Sequence, residues 1–195
     1  MSGTVRIIAG RWRRRRLPVA DVAGLRPTPD RVRETLFSWL HHRLPGARCL
    51  DLFAGTGALG LEAASRGAAE VVLVDSDARV ADTLRAQVAK LAAEQVRVVH
   101  AEASAWLAGA GRPFDVVFLD PPFGRAELGE LCRRLESGGW LAPEALVYLE
   151  SDRDFAALAL PAHWHAVRDQ RAGQVRYYLA APGQPAHDTA PAGGS

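Results

Sequence analysis

With 195 residues, 48% of them hydrophobic, the chain is long enough for one α/β domain with a substantial core and a small appendage. Cys49 and Cys132 each stand inside an apolar segment, which excludes a disulfide framework and a cysteine-based metal cluster; no apolar run reaches the roughly 18 residues of a membrane span and no signal-peptide core opens the chain, so a cytoplasmic enzyme is expected. The formal charge of +2 hides an asymmetry, because residues 1–48 carry 11 Arg against Asp21, Asp30 and Glu34, or +8, whereas residues 49–195 carry −6. That division suggests a polyanion-facing front on an acidic body, although 23 Arg against a single Lys also points to a bias in composition.

Taken in order, Val5 to Ala9, Gly10 and the run Arg13 to Leu17 predict a small hairpin or an extended basic arm. Thr28 can cap a helix that has Pro29 at its first position, with Val32, Leu36 and Leu40 on one face and Arg31 and Arg33 shown to solvent or a ligand; Pro45 and Gly46 end it. Strands over Cys49 to Phe53, Val71 to Val74, Val96 to Val99, Val116 to Leu119 and Ala145 to Leu149 then alternate with helical faces. Those faces are the Ala-rich Ala58 to Ser65, the set Val80, Leu84, Val88 and Leu91, and the set Leu128, Leu131, Cys132 and Leu135. Such repetition implies a mostly parallel sheet covered on both faces, that is, an α/β fold. Trp164 to Val167 and Val175 to Leu179 flank Ala172-Gly173 as an antiparallel hairpin completing the sheet. The expected divisions are a basic arm and helix over 1–45, the main domain over 46–181 and a disordered tail over 182–195, where too few apolar residues remain to pack.

The glycine turn in Asp51-Leu52-Phe53-Ala54-Gly55-Thr56-Gly57 lies between the first parallel strand and its helix, where such sheets place a ligand. A dinucleotide and S-adenosylmethionine both remain open from the glycines alone. Asp75, at the end of the next strand, suits ribose hydroxyls in either case. Asp51 favours the second ligand, because a carboxylate there would repel a pyrophosphate yet accept the cationic amino acid portion of S-adenosylmethionine; alternatively it only bonds the turn. Glu102, just after the third parallel strand and followed by Ala103, reads either as the holder of an adenine edge or as a plain loop acid.

The strand Val116 to Leu119 ends in Asp120-Pro121-Pro122-Phe123. In a sheet running 3-2-1-4 this tetrapeptide lies beside the glycine turn. Two prolines remove N–H donors, so the backbone presents carbonyl oxygens. An exocyclic amine could donate its hydrogens to the Asp120 carboxylate and the Pro121 carbonyl while Phe123 stacks on the ring. Acceptors so placed stabilise the increasingly positive nitrogen of the transition state more than the planar ground state. Asp120 or solvent then takes the proton, and no metal is required.

These residues resemble a known family. DPPF is similar to the (Asp/Asn/Ser)-Pro-Pro-aromatic motif of amino-methyltransferases, and DLFAGTG to their cofactor loop. More narrowly, Arg6 to Gly10, Leu25-Arg26-Pro27-Thr28, Asp30 to Phe37, Cys49 to Ala63, Gly139-Trp140-Leu141 and Ala172 to Val175 resemble the bacterial 16S ribosomal RNA guanine-N2 methyltransferases over about residues 5–180. The resemblance implies a Rossmann-like, class I S-adenosylmethionine-dependent methyltransferase fold with a seven-stranded sheet. It also implies methylation of the exocyclic N2 of one guanine, at position 966 of that RNA, within part-assembled small subunits; separately, a monomer is expected. Carried over by position, Asp120, Pro121, Pro122 and Phe123 form the catalytic set, and Asp51, Phe53, Gly55, Gly57, Asp75, Glu102 and Ala103 hold the cofactor. Glu102 stands where Asp or Asn is usual, and Asp75 where Glu is frequent. Arg11, Arg13, Arg14, Arg26, Arg31 and Arg33 are the candidates for the RNA backbone. Rival readings are a methyltransferase for DNA adenine or protein glutamine, an oxidoreductase using NAD, and a non-catalytic RNA-binding assembly factor.

Overall fold

The computed structural model describes residues 3–22, 28–121 and 128–183. At the front, β1 (Thr4–Arg6) and β2 (Arg16–Pro18) form an antiparallel hairpin. Only its alternate residues Val5 and Leu17 are buried, so the arginines between them stay in solvent. The helix α1 (Asp30–Trp39) buries Val32, Leu36 and Phe37. Its N-cap is Pro29, not Thr28, because the Thr28 hydroxyl is committed elsewhere, as described below.

A seven-stranded sheet follows. Its strands are β3 (Arg48–Asp51), β4 (Glu70–Asp75), β5 (Val96–His100), β6 (Phe114–Leu119), β7 (Leu141–Ser151), β8 (His165–Ala172) and β9 (Val175–Ala181), in the order β5-β4-β3-β6-β7-β9-β8. The pairings among β3 to β7 are parallel, and β9 runs antiparallel to β7 and β8. The helices α2 (Ala58–Ser65), α3 (Ala78–Leu91), α4 (Ala103–Leu107) and α5 (Leu128–Ser137) return the chain between parallel strands.

Side-chain alternation along β6 shows how the two layers of core arise. Val116 and Phe118 enter one cluster, with Leu36, Phe37, Leu61, Leu84 and the hairpin residues Val5 and Leu17; Val117 and Leu119 enter the other, with Leu131, Leu135 and Trp140. Each such fully buried side chain contributes about 1.5–3 kcal/mol, and the two-sided burial explains why the central strands read as unbroken apolar runs. The hairpin and α1 therefore share a core with the sheet. Both cysteines are free and buried, and burial pushes both thiols up.

Two short elements were not foreseen. The five-residue α4 and the 3-10 turn Phe155–Leu158 are each too short to show a helical period. Among the described residues, no helix is long and apolar enough to cross a membrane. The expected tail, from residue 184 onward, lies outside the described residues.

Candidate active site

The chain leaves β3 for β4 and β5 on one side, then returns to add β6 on the other, so the strand order reverses between β3 and β6. Asp51 closes β3, Asp75 closes β4 and Asp120 follows β6, which brings three carboxylates to the carboxyl ends of adjacent strands. The glycine turn is shaped for that place. Gly57 caps α2 with φ +76°, and a Cβ on it would stand 2.7 Å from Leu84 Cδ2 and 2.8 Å from Leu61 Cδ1. The Asp75 carboxylate pins the turn by accepting the Gly55 N–H at 2.8 Å and the Asp77 N–H at 2.9 Å, one on each oxygen. Phe53 is half-buried against the second core cluster.

Asp51 is 1% exposed. Its Oδ2 accepts the Gly60 N–H at 3.0 Å, but its Oδ1 is buried without a partner. Burial pushes this carboxyl up to about 7; the Gly60 bond pulls it down, and the charges of Asp120 and Asp75 push it further up. An uncompensated acceptor in a cluster of like charges stabilises a cation and repels a phosphate. The residues present therefore fit a donor that carries ammonium and sulfonium charge better than a dinucleotide.

Asp120 is partly buried, and its Oδ2 accepts the Thr28 hydroxyl at 3.3 Å. Burial pushes its carboxyl up to about 6, against the pull of the Thr28 bond. Pro121 is buried, and Pro122 and Phe123 lie outside the described residues. Glu102 is exposed and caps α4, accepting the Ala105 N–H at 2.8 Å, which holds its carboxyl below the usual range. Ala103 is buried in the second cluster.

The basic front is stitched to α2. Glu62 accepts the Ile8 N–H at 2.7 Å and the Ala9 N–H at 3.0 Å, while Ser65 Oγ accepts the Trp12 N–H at 3.0 Å and donates to the Ala9 carbonyl at 2.6 Å. Gly10 fits there because a Cβ would meet the Ser65 carbonyl oxygen at 1.9 Å. This anchorage holds Arg11, Arg13 and Arg14 exposed on the loop between β1 and β2, and Arg31 is exposed on α1. Arg33 corrects the sequence reading. It is 0% exposed, with its guanidinium bonded to Asp30 at 2.6 Å and 3.8 Å from Glu62, so it serves the hairpin anchorage and cannot reach a nucleic acid. Arg26 lies outside the described residues.

Arg16 belongs to the basic run that the sequence singles out, whereas Arg6, Thr28 and Glu150 were not assigned to this site. Arg6 and Arg16, with Thr28 and Asp30, line a cavity of about 410 Å³ between the hairpin and the start of α1, and Thr28 connects that cavity to Asp120. Glu150 ends up beside Asp120 on the neighbouring strand, with Tyr148 bonded to it. A carboxylate one position past a predicted strand was the available signal for Glu150, as it was for Asp120. A slightly larger cavity, about 440 Å³, opens at the amino ends of the strands among Arg48, Glu70, Phe114 and Trp106, away from this chemistry.

Comparison with known proteins gives the chain's family and fold relatives. The family model described as Conserved hypothetical protein 95 matches residues 5–181. The chain is 52% identical over 178 residues to Ribosomal RNA small subunit methyltransferase D of Escherichia coli strain K12, covering 91% of this chain and 90% of that protein. It is 44% identical over 182 residues to the protein of the same name from Haemophilus influenzae, covering 91% and 94%. The solved structure of yhhF from Escherichia coli superimposes with a TM-score of 0.85 at 47% identity, over 93% of this chain and 99% of that one. At 17% identity, an RNA methyltransferase from Salinibacter ruber in complex with S-adenosyl-L-homocysteine shares the fold, with a TM-score of 0.62 over 82% and 95% of the two chains.

Proposed function

The chain belongs to the Conserved hypothetical protein 95 family, and from that premise we propose that it transfers a methyl group from S-adenosylmethionine to the exocyclic N2 of a guanine in 16S ribosomal RNA. The observation that carries the proposal is the meeting of Asp120 and Pro121 with the glycine turn, Asp51 and Asp75 at one sheet end. S-adenosylmethionine supplies the electrophilic methyl group. Asp75 would take its ribose hydroxyls, Asp51 its cationic portion, and Gly55 and Gly57 admit it close to the backbone; Phe53, Glu102 and Ala103 complete the cofactor set. The amine of the target base would donate to the Asp120 carboxylate and the Pro121 carbonyl, with Phe123 against the ring and Pro122 fixing the turn.

An N2 amine is paired and stacked inside a duplex, so the base must come from a loop or leave the stack. The exposed Arg11, Arg13, Arg14 and Arg31, together with Arg26, would then hold flanking phosphates, and Arg6 and Arg16 those nearest the base. The relatives are small-subunit ribosomal RNA methyltransferases by name. The finer assignment, guanine 966 in a part-assembled subunit, follows the same resemblance. Mass-spectrometric mapping of N2-methylguanine in 16S RNA from cells with and without the chain tests it. Labelled methyl transfer to small-subunit particles, DNA and protein separates the rivals. Loss of one N2-methylguanine is expected; an unchanged 16S profile with transfer to DNA or protein would overturn the proposal.

A further inference from the structure

The chemistry proposed for Asp120 uses one carboxylate, yet a second is buried beside it. Leu119 and Leu149 are paired in the parallel register of β6 and β7, so Asp120 and Glu150 follow at the next position of adjacent strands. Phe118 and Tyr148 both face the first core cluster, and strand alternation turns Asp120 and Glu150 to that same side. Glu150 is 9% exposed, and its Oε1 accepts the hydroxyl of the fully buried Tyr148 at 2.6 Å. Thr28 bonds Asp120 at 3.3 Å from its other side.

The titratable groups around the pair are Asp51 on β3, Tyr148 on β7 and Tyr177 on β9; Asp30 and Arg33 at the start of α1 are bound to each other, and Glu62 on α2 is paired to Arg33 and Arg66. Among the described residues, no Arg, Lys or His forms an ion pair with Asp120 or Glu150. Two neighbouring carboxyls without a cation cannot both ionise freely; they titrate as a unit, the second proton leaving less readily than the first.

The geometry points to Glu150 as the positioning residue of the proposed reaction, sharing with Asp120 the proton that the amine releases. This rests on the function proposed above. In the step itself, a bond forms between the amine nitrogen and the methyl carbon, and the bond from that carbon to the donor sulfur breaks, its electron pair staying on sulfur. The positive charge thereby moves to nitrogen, and the nitrogen loses a proton to Asp120. Glu150 then takes a share of that proton, so the buried site accepts it without water entering and Asp120 returns to the ionised acceptor. Burial raises the Asp120 carboxyl above its ordinary range, and burial with the Asp120 charge raises Glu150, opposed by the Tyr148 bond, so each carboxyl favours a proton held between them.

Carboxyl carbon-13 chemical shifts of the full chain, followed against pH without RNA, test the pairing directly. Asp120 and Glu150 are expected to titrate in the neutral range in two linked steps, and Asp120→Asn to move the Glu150 midpoint down. Under single turnover, the acidic limb of methyl transfer should move to lower pH in Glu150→Gln, with cofactor affinity unchanged. A Glu150 midpoint in the ordinary carboxyl range, or one blind to Asp120→Asn, overturns the inference. So does a Glu150→Gln limb that superimposes on the wild type. If the two carboxyls titrate together while the wild type methylates no ribosomal RNA, the pairing stands and the function proposed above is the part that fails.

Discussion

Glu62 offers the most direct test of how the basic front is held. Its buried carboxylate accepts the Ile8 and Ala9 N–H groups, pairs with Arg66 at 2.7 Å and stands 3.8 Å from Arg33. In Glu62→Ala, two backbone donors lose their acceptor, at about 1–3 kcal/mol each. Breaking a buried pair costs about 3–5 kcal/mol, but Arg33 keeps Asp30 at 2.6 Å and Arg66 reaches solvent, so that part falls at the low end. The sum, about 5–9 kcal/mol, reaches the whole stability of a typical domain. Glu62→Gln is the better probe, since it keeps one acceptor and turns an amide donor toward a donor; about 2–3 kcal/mol is expected. In urea that is a fall of roughly 1 M in midpoint, and amide exchange at Ile8 and Ala9 should accelerate selectively. An unchanged midpoint with those amides still protected would refute the stitching argument.

At the cofactor turn, Gly57→Ala at φ +76° incurs about 1–2 kcal/mol of backbone cost and drives Leu84 and Leu61 aside, so calorimetry should show S-adenosylmethionine affinity falling about tenfold; an unaltered affinity would mean that the turn is not the cofactor's seat. Asp120→Ala should slow methyl transfer by on the order of 10²–10³ while leaving cofactor affinity intact, and a rate within a few-fold of wild type would remove Asp120 from the chemistry. Neutralising Arg13, Arg14, Arg15 and Arg16 together should flatten the dependence of RNA affinity on salt by about 0.7–0.9 in log–log slope for each phosphate that the loop neutralises; an identical slope would take the loop out of the interface. Asp51, moved from 3.8 to about 7 in the fold, contributes no penalty below about pH 4 and costs the folded state progressively as pH rises through about 7, on the order of a few kcal/mol. Asp51→Asn should therefore gain stability relative to wild type between acid and alkaline denaturation series, and parallel curves would refute the assigned burial cost.

How far the sequence could be read depended on whether a residue's partner lay in its own element. Burial on both faces made the central strands legible as apolar runs, and α2 was found at its observed bounds from its flanking glycines. The third helix was equally plain, since Val80, Leu84, Val88 and Leu91 recur at the helical period, although Val88 is only partly buried. Partners from distant elements left no such trace. Arg33 looked like a solvent-facing neighbour of Arg31, yet it answers to Glu62, 29 positions on, which itself stands on a helix buried at every position. Thr28 had the right chemistry for a cap, but its hydroxyl spans 92 positions to Asp120. Glu150 became meaningful only once β6 and β7 were placed in register.

The same long-range contacts explain why acid and base are segregated in the fold. At an effective dielectric near 20, a phosphate brought within about 4 Å of one carboxylate is opposed by about 4 kcal/mol, so the Asp51, Asp75, Asp120 and Glu150 end of the sheet cannot also be the polyanion surface. A neutral base can enter it; the backbone on either side of that base cannot. If the chain acts on RNA as proposed, the arginines have to stand outside, yet near enough that a base whose phosphates they would hold still reaches Asp120. The stitched hairpin meets both demands, because Glu62 and Ser65 fix the arginine loop to α2, the helix that opens at Gly57 of the cofactor turn. Arg6 meets Asp30 at 2.9 Å near the start of α1, two residues from the Thr28 that bonds Asp120. On the proposed function, loosening the hairpin should therefore weaken RNA binding and misplace the base, while leaving the donor's own site as it was.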